Sequence, residues 1–139
     1  MTSIVIYKGA LRTVATHQQS GSVIETDAPT DNQGKGQRFS PSDLVATALG
    51  SCMLTIMGQK ARDMEVDLQG TKIEIQKIMK QDPRRIGGIN LTFHFPQSLQ
   101  LSEKQQIIFE RAANTCPVMY SINPDIEVNV NFNWRVYSN

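Results

Sequence analysis

The sequence is poor in the residues that announce a known chemistry. It has two cysteines in 139 residues, 64 positions apart, a separation that excludes both a CxxC redox motif and zinc-ribbon spacing. There is no HExxH, no cysteine–histidine cluster and no GxGxxG. The one glycine-dense stretch, Gly34-Lys35-Gly36, lacks the following Ser or Thr of a phosphate loop. No nucleophile elbow is present. His17 and His94 are isolated, so no metal site and no cofactor is expected. Charge of one sign is missing too: 14 basic against 13 acidic side chains leave +1, which gives neither nucleic acid nor an anionic membrane a reason to bind. No apolar run has the length of a membrane span. The opening MTSIVIYKGALR has no charged segment leading into an apolar one, so no signal peptide is expected. The expectation is a cytoplasmic protein in a reducing compartment. There, two cysteines read as free thiols or a transient redox pair rather than a structural disulfide.

What is present is a pattern of short strands and two helices. Residues 3–8 and 11–16 read as a hairpin joined at Gly9-Ala10, with a third strand near Ser22–Thr26. The polar stretch 27–39 is a loop long enough to suggest either a function or disorder. Ser40–Asp63 then reads as one long helix. Ser40 is its N-cap, Pro41 occupies the first turn, and Asp43 completes a capping box. Val45, Ala46, Ala48, Leu49, Met53, Leu54, Ile56 and Met57 leave it no broad polar face, which predicts burial on most sides. Leu68–Met79, alternating strictly over Lys72–Ile78, reads as a half-buried strand, and Ile86–Phe95 returns after the turn at Gln81–Arg85. Ser102–Gln105 is a second capping box, opening a helix that runs to Cys116. Pro117 starts a short helical piece, and the alternation over Ile126–Val136 predicts a last strand. The order is βββ-α-ββ-α-β, an α+β class with antiparallel pairs, in a single domain over 1–139.

The cysteines admit two readings. Each lies on an apolar helical segment, where a thiol is commonly an inert small hydrophobe. If the two helices pack together, the sulfurs meet, and one can react with peroxide while the other resolves the sulfenic acid to a disulfide. Peroxide chemistry needs a thiolate, hence a nearby cation. Arg12, Arg38, Arg62 and Arg111 are the candidates, but Arg111 stands about 500° round a helix from Cys116 and points away from it. Asp43 is nine residues before Cys52, roughly 13 Å along the axis and on the opposite face. It therefore reaches the thiol only through a bridging arginine or from a second chain.

Two stretches resemble a known family. Ser40-Pro41-Ser42-Asp43-Leu44-Val45-Ala46-Thr47-Ala48-Leu49-Gly50-Ser51-Cys52 is similar to the helix signature of the OsmC/Ohr superfamily, and Asn114-Thr115-Cys116-Pro117-Val118 resembles its second cysteine motif. The resemblance spans nearly the whole chain. It implies an intertwined homodimer, with antiparallel sheets wrapped around two central helices. It also implies reduction of organic hydroperoxides, with hydrogen peroxide as a further substrate, and recycling by a dithiol or lipoyl-type reductant. By position, Cys52 is then the peroxidatic thiol and Cys116 the resolving one. In the hydroperoxide reductases a glutamate directly follows the motif's proline. Here Ser42 takes that place and the acid comes next, as Asp43, a pattern nearer the OsmC-like branch. Arg38 resembles the arginine before the helix in that branch, and Arg12 lies near the strand that carries it in the Ohr branch. The alternative function on the same scaffold is binding of a small hydrophobic ligand, or redox sensing without efficient turnover.

Overall fold

A computed structural model describes residues 1–134 of the chain, and Val136 of the expected last strand lies outside them. The chain forms two compact units, one of residues 1–45 and one beginning at Ala46.

The first unit is a three-stranded antiparallel meander of β1 (Ser3–Gly9), β2 (Arg12–His17) and β3 (Val23–Asp27), in that order. The β1–β2 hairpin turns on Ala10 and Leu11, whose φ values are 53° and 62°. Positive φ at both central residues matches the right-handed twist of the flanking strands, although neither residue is the glycine or asparagine that usually supplies it. In the β2–β3 pair, Arg12 stands opposite Asp27 and Val14 opposite Glu25. The stretch after β3 is an ordered loop. It contains a 3-10 turn at Thr30–Asn32, and Asp27 N–H donates to the Phe39 carbonyl at 3.1 Å. Gly34 and Gly36 fold back here: Gly36 N–H donates to the Ala28 carbonyl, and a Cβ at Gly34 would overlap that same carbonyl. The glycines serve a close backbone approach.

The long helix α1 (Pro41–Asp63) starts as expected. Ser40 Oγ accepts from Asp43 N–H at 3.0 Å, and Asp43 Oδ2 accepts from Ser40 N–H at 2.9 Å, the two reciprocal bonds of a capping box.

The second unit packs the rest of α1 with β4 (Lys72–Lys80), β5 (Arg85–His94), α2 (Glu103–Ala113), α3 (Pro117–Ser121) and β6 (Glu127–Asn133). Its sheet has the order β4-β5-β6, with β4 and β5 antiparallel but β5 and β6 parallel. That corrects the expectation of purely antiparallel sheets. The connection from β5 to β6 is a crossover through two helices, and such a crossover returns the chain in the same direction. Along α1, Ala46, Leu49, Gly50, Met53, Met57 and Ala61 form one buried stripe at helical spacing. They share a core with Ile89, Leu91 and Phe93 of β5 and with Phe109, Ala113 and Cys116. A Cβ at Gly50 would press on Ile75 Cδ1, so the glycine sets how closely helix and sheet approach. Phe93 stacks on Phe132 with centroids 4.8 Å apart, and Trp134 stacks on Phe95 at 3.9 Å. Trp134 Nε1–H donates to Glu110 Oε1, tying the end of this sheet to α2. The sheet's other face is polar, with Gln76, Asn90 and Asn129 hydrogen-bonded side chain to side chain across three strands.

Burial of α1 is narrower than its composition predicts. Cys52, Leu54 and Ile56 are only partly buried, and Val45 is 40% exposed. One sheet covers one stripe, and the remaining apolar positions are left over within a single copy.

Candidate functional site

Cys52 lies mid-way along α1 and is partly buried, whereas Cys116 is fully buried. Both are free thiols, and Cys52 lies close enough to Cys116 to act on its titration. The local fold explains why Cys116 is placed so firmly. It is the N-cap of α3, its sulfur accepts Met119 N–H at 3.3 Å, and Pro117 fills the first helical position. Burial pushes the Cys116 thiol above its ordinary value, and the neighbouring Cys52 adds to the shift, while the Met119 N–H works against it. Cys116 is therefore protonated at neutral pH. It is suited to be the second thiol in a redox pair rather than the first nucleophile.

The first unit holds a separate group of charges. Arg12 grips Asp27 with two parallel bonds, Nε to Oδ1 and Nη2 to Oδ2, each 2.8 Å. Asp27 is 1% exposed and also accepts Gln37 N–H at 3.1 Å. Arg12 Nη2 further donates to Gln37 Oε1 at 3.1 Å. The Arg12 hydrogen bonds hold the Asp27 carboxyl below the usual carboxylate range against its own desolvation, and Asp27 in turn raises the guanidinium. Glu25 bridges the two arginines. Its Oε2 lies 3.8 Å from Arg12 Nε and 3.4 Å from Arg38 Nε. Arg38 is the looser partner: its side chain is 46% exposed against 25% for Arg12, and it donates to the Gln37 carbonyl at 2.9 Å.

Of the five candidates from the sequence, the structure thus brings Cys52 and Cys116 together in one unit, and Arg12 and Arg38 around Glu25 in the other. Asp43 caps α1. Asp27 and Glu25 were not anticipated, although the signal was present. An antiparallel hairpin that closes near Gln18–Ser22 sets Arg12 across from Asp27, so an arginine and a carboxylate at mirrored positions predict each other. His94 Nε2 lies 2.7 Å from Glu74 Oε1, on adjacent strands. Among the described residues no group of three or more His, Cys, Asp or Glu side chains is arranged to hold a metal ion. No helix among them is long and apolar enough to cross a membrane.

The family of OsmC-like proteins matches residues 34–131, which include the α1 cysteine, the Cys116-Pro117 turn and most of both helices and the second sheet. The chain belongs to the OsmC-like family. A protein of Psychrobacter arcticus 273-4, assigned by name to the osmotic stress induced and detoxification response proteins, is 53% identical over 96% of both chains, with a TM-score of 0.92. More distant structures share the OsmC-like fold. The organic hydroperoxide resistance protein OsmC of Legionella pneumophila is 16% identical, over 95% of this chain and 96% of its own, with a TM-score of 0.72. The organic hydroperoxide resistance protein OhrB of Bacillus subtilis is 20% identical, over 96% and 98%, with a TM-score of 0.68. No curated protein matches the chain. Structural neighbours of this OsmC-like chain thus include organic hydroperoxide resistance proteins.

Proposed function

We propose that the protein is a thiol-dependent peroxidase that reduces organic hydroperoxides, with hydrogen peroxide as a further substrate. The observation that carries this reading is the pairing of two free thiols, Cys52 partly buried and Cys116 fully buried beside it. The Cys52 thiolate attacks the distal oxygen of ROOH. The O–O bond breaks, RO⁻ takes a proton from solvent and leaves as ROH, and Cys52 becomes a sulfenic acid. The Cys116 thiol then attacks that sulfur, an S–S bond forms and water departs. An external dithiol, such as a lipoyl-type group, restores both thiols by two exchanges and is itself oxidised. The family's arginine role falls to Arg12 or Arg38, as the cation that favours the thiolate. Arg12 is the better fit to it, because Asp27 fixes its Nε and Nη2 edge and leaves Nη1 to act elsewhere. Asp43 remains the helix cap in this scheme, with any part in the site played through an arginine.

The active form is a homodimer in the cytoplasm. Support for a dimer comes from β1, where Ile4, Val5, Ile6 and Tyr7 are 50–64% exposed on both faces of a sheet edge, an apolar surface that an isolated chain rarely leaves bare. The partly exposed apolar positions of α1 add to it.

The test is turnover of cumene hydroperoxide with a dithiol. Cys52→Ser should lower kcat by on the order of 10³-fold or more. Cys116→Ser should keep one round of peroxide reduction and lose recycling through the intramolecular disulfide. Wild-type protein that consumes neither cumene hydroperoxide nor hydrogen peroxide would sink the proposal.

A further inference from the structure

Cys116 belongs to two structures at once. Its thiol lies beside Cys52, and its residue is also the N-cap of α3, where Sγ accepts Met119 N–H at 3.3 Å. Little else holds α3. It is five residues long and none of them is fully buried. Pro117, Tyr120 and Ser121 are exposed, while Val118 and Met119 rest partly on the core. Two further bonds close the turn: Ser121 Oγ–H donates to the Pro117 carbonyl at 2.8 Å, and Ile122 N–H to the Val118 carbonyl at 3.1 Å. A single helical turn is a costly nucleus with few bonds to offset it, so one cap is a large share of its stability.

The elements around α3 are held better. Cys52 sits in the 23-residue α1, next to Met53 and one turn from Leu49, both 0% exposed. The end of α2 is fastened by Asn114 Nδ2–H to the Glu110 carbonyl at 3.1 Å and by Thr115 Oγ1–H to the Ala112 carbonyl at 2.7 Å. Beyond α3, Asn123 closes its own turn, with Oδ1 accepting Asp125 N–H and the carbonyl accepting Ile126 N–H. α3 is thus the yielding piece between fixed ones.

A disulfide draws two sulfurs to about 2.0 Å, well inside any non-bonded contact between them. Cys52 is fixed by its helix, so Cys116 Sγ has to swing toward it and away from Met119. A neutral sulfur is a weak acceptor, and its bond to the Met119 N–H does not survive the stretch. We propose that the Cys52–Cys116 disulfide uncaps α3, so that residues 117–122 act as a redox-sensitive gate over the buried end of the pair. The gate answers a question of access. Cys116 is 0% exposed while α3 is capped, and fraying of α3 opens the disulfide to attack by an external dithiol. Reduction restores the thiol, the cap and the closed turn. The gate rests on the redox pairing of the proposed function, though not on peroxide as the oxidant.

Diamide makes the disulfide without peroxide, its N=N bond taking the two thiol hydrogens to become a hydrazine. Hydrogen exchange read by mass spectrometry then compares the full chain in its two states. Amides 118–122 should exchange about fivefold faster in the oxidised protein, the worth of one lost N-cap, while α1 and β5 keep their protection. Cys52→Ser, treated alike, should show no change. Cys116→Ala should exchange like the oxidised protein without any disulfide. Cys116→Ser, whose hydroxyl is itself a strong cap, should exchange like the reduced one. Equal exchange at 118–122 in oxidised and reduced wild type overturns the gate, as does slow exchange there in Cys116→Ala. Acceleration shared by α1 and β5 means a generally loosened core and overturns it too. A pair that diamide does not crosslink overturns both the gate and the redox pairing. Protein that opens α3 with diamide but consumes no hydroperoxide keeps the gate and loses the peroxidase reading. Protein that turns over hydroperoxide with α3 unchanged does the reverse.

Discussion

The two three-stranded sheets treat their apolar residues in opposite ways. In β4-β5-β6, alternate residues point at helices of the same unit and the remaining face is a hydrogen-bonded polar ladder. In β1-β2-β3, Ile4, Val5, Ile6, Tyr7, Val23 and Ile24 are all half or more exposed. The second sheet belongs to a unit that closes its own core. The first is an apolar, largely uncovered sheet with a charged corner, Arg12 with Asp27, Glu25, Gln37 and Arg38. Most of the buried core lies in one region, and most of the bare apolar surface in the other. The chemistry divides along the same line, with thiols in the first kind of environment and guanidinium groups in the second.

The comparison breaks hardest in the self-contained unit. Phe93→Ala removes a fully buried ring stacked on Phe132 and should cost about 3–5 kcal/mol in denaturant unfolding. Next comes the first sheet. Ile4→Lys/Ile6→Lys places two charges on one face of β1, where each covered side chain is worth about 1.5–3 kcal/mol. Sedimentation should show the dimer dissociation constant rising on the order of a hundredfold or more. A variant that remains dimeric at wild-type concentrations contradicts the role given to β1. Ser40→Ala removes the capping bond to Asp43 N–H and should cost about 1 kcal/mol.

The smallest effect is the pH dependence of the charged corner. The Asp27 carboxyl is depressed when folded, so its contribution to stability is complete above the ordinary carboxylate range. It is lost as pH falls through the depressed folded value. Asp27→Asn should flatten the acid limb of the melting temperature against pH.

Much of the second unit was legible in the sequence because its signals are local. The Ser102 capping box, the alternation within Leu68–Met79 and the proline after Cys116 each state their structure within a few residues. The direction of β6 was not legible, since alternation fixes which face is buried but not which way a strand runs. The turn at Ala10-Leu11 hid for the opposite reason, adopting positive φ without the residues that favour it. At the site, the cysteine pair was visible as a possibility that depended on the packing of two helices. The Asp27 clamp on Arg12 required register, which a reading of single strands does not supply. Burial of α1 was overestimated from composition, because apolar residues mark surfaces that want cover without saying which chain provides it.

The central claim is that Cys52 and Cys116 act as one redox pair. Intact-mass and peptide mass spectrometry after a single equivalent of cumene hydroperoxide tests it directly. The account predicts loss of two hydrogens and a Cys52–Cys116 crosslinked peptide in the wild type, with a dimedone-trappable sulfenic acid on Cys52 in Cys116→Ser. A wild-type protein whose mass is unchanged, with both cysteines still alkylatable after unfolding, would contradict it.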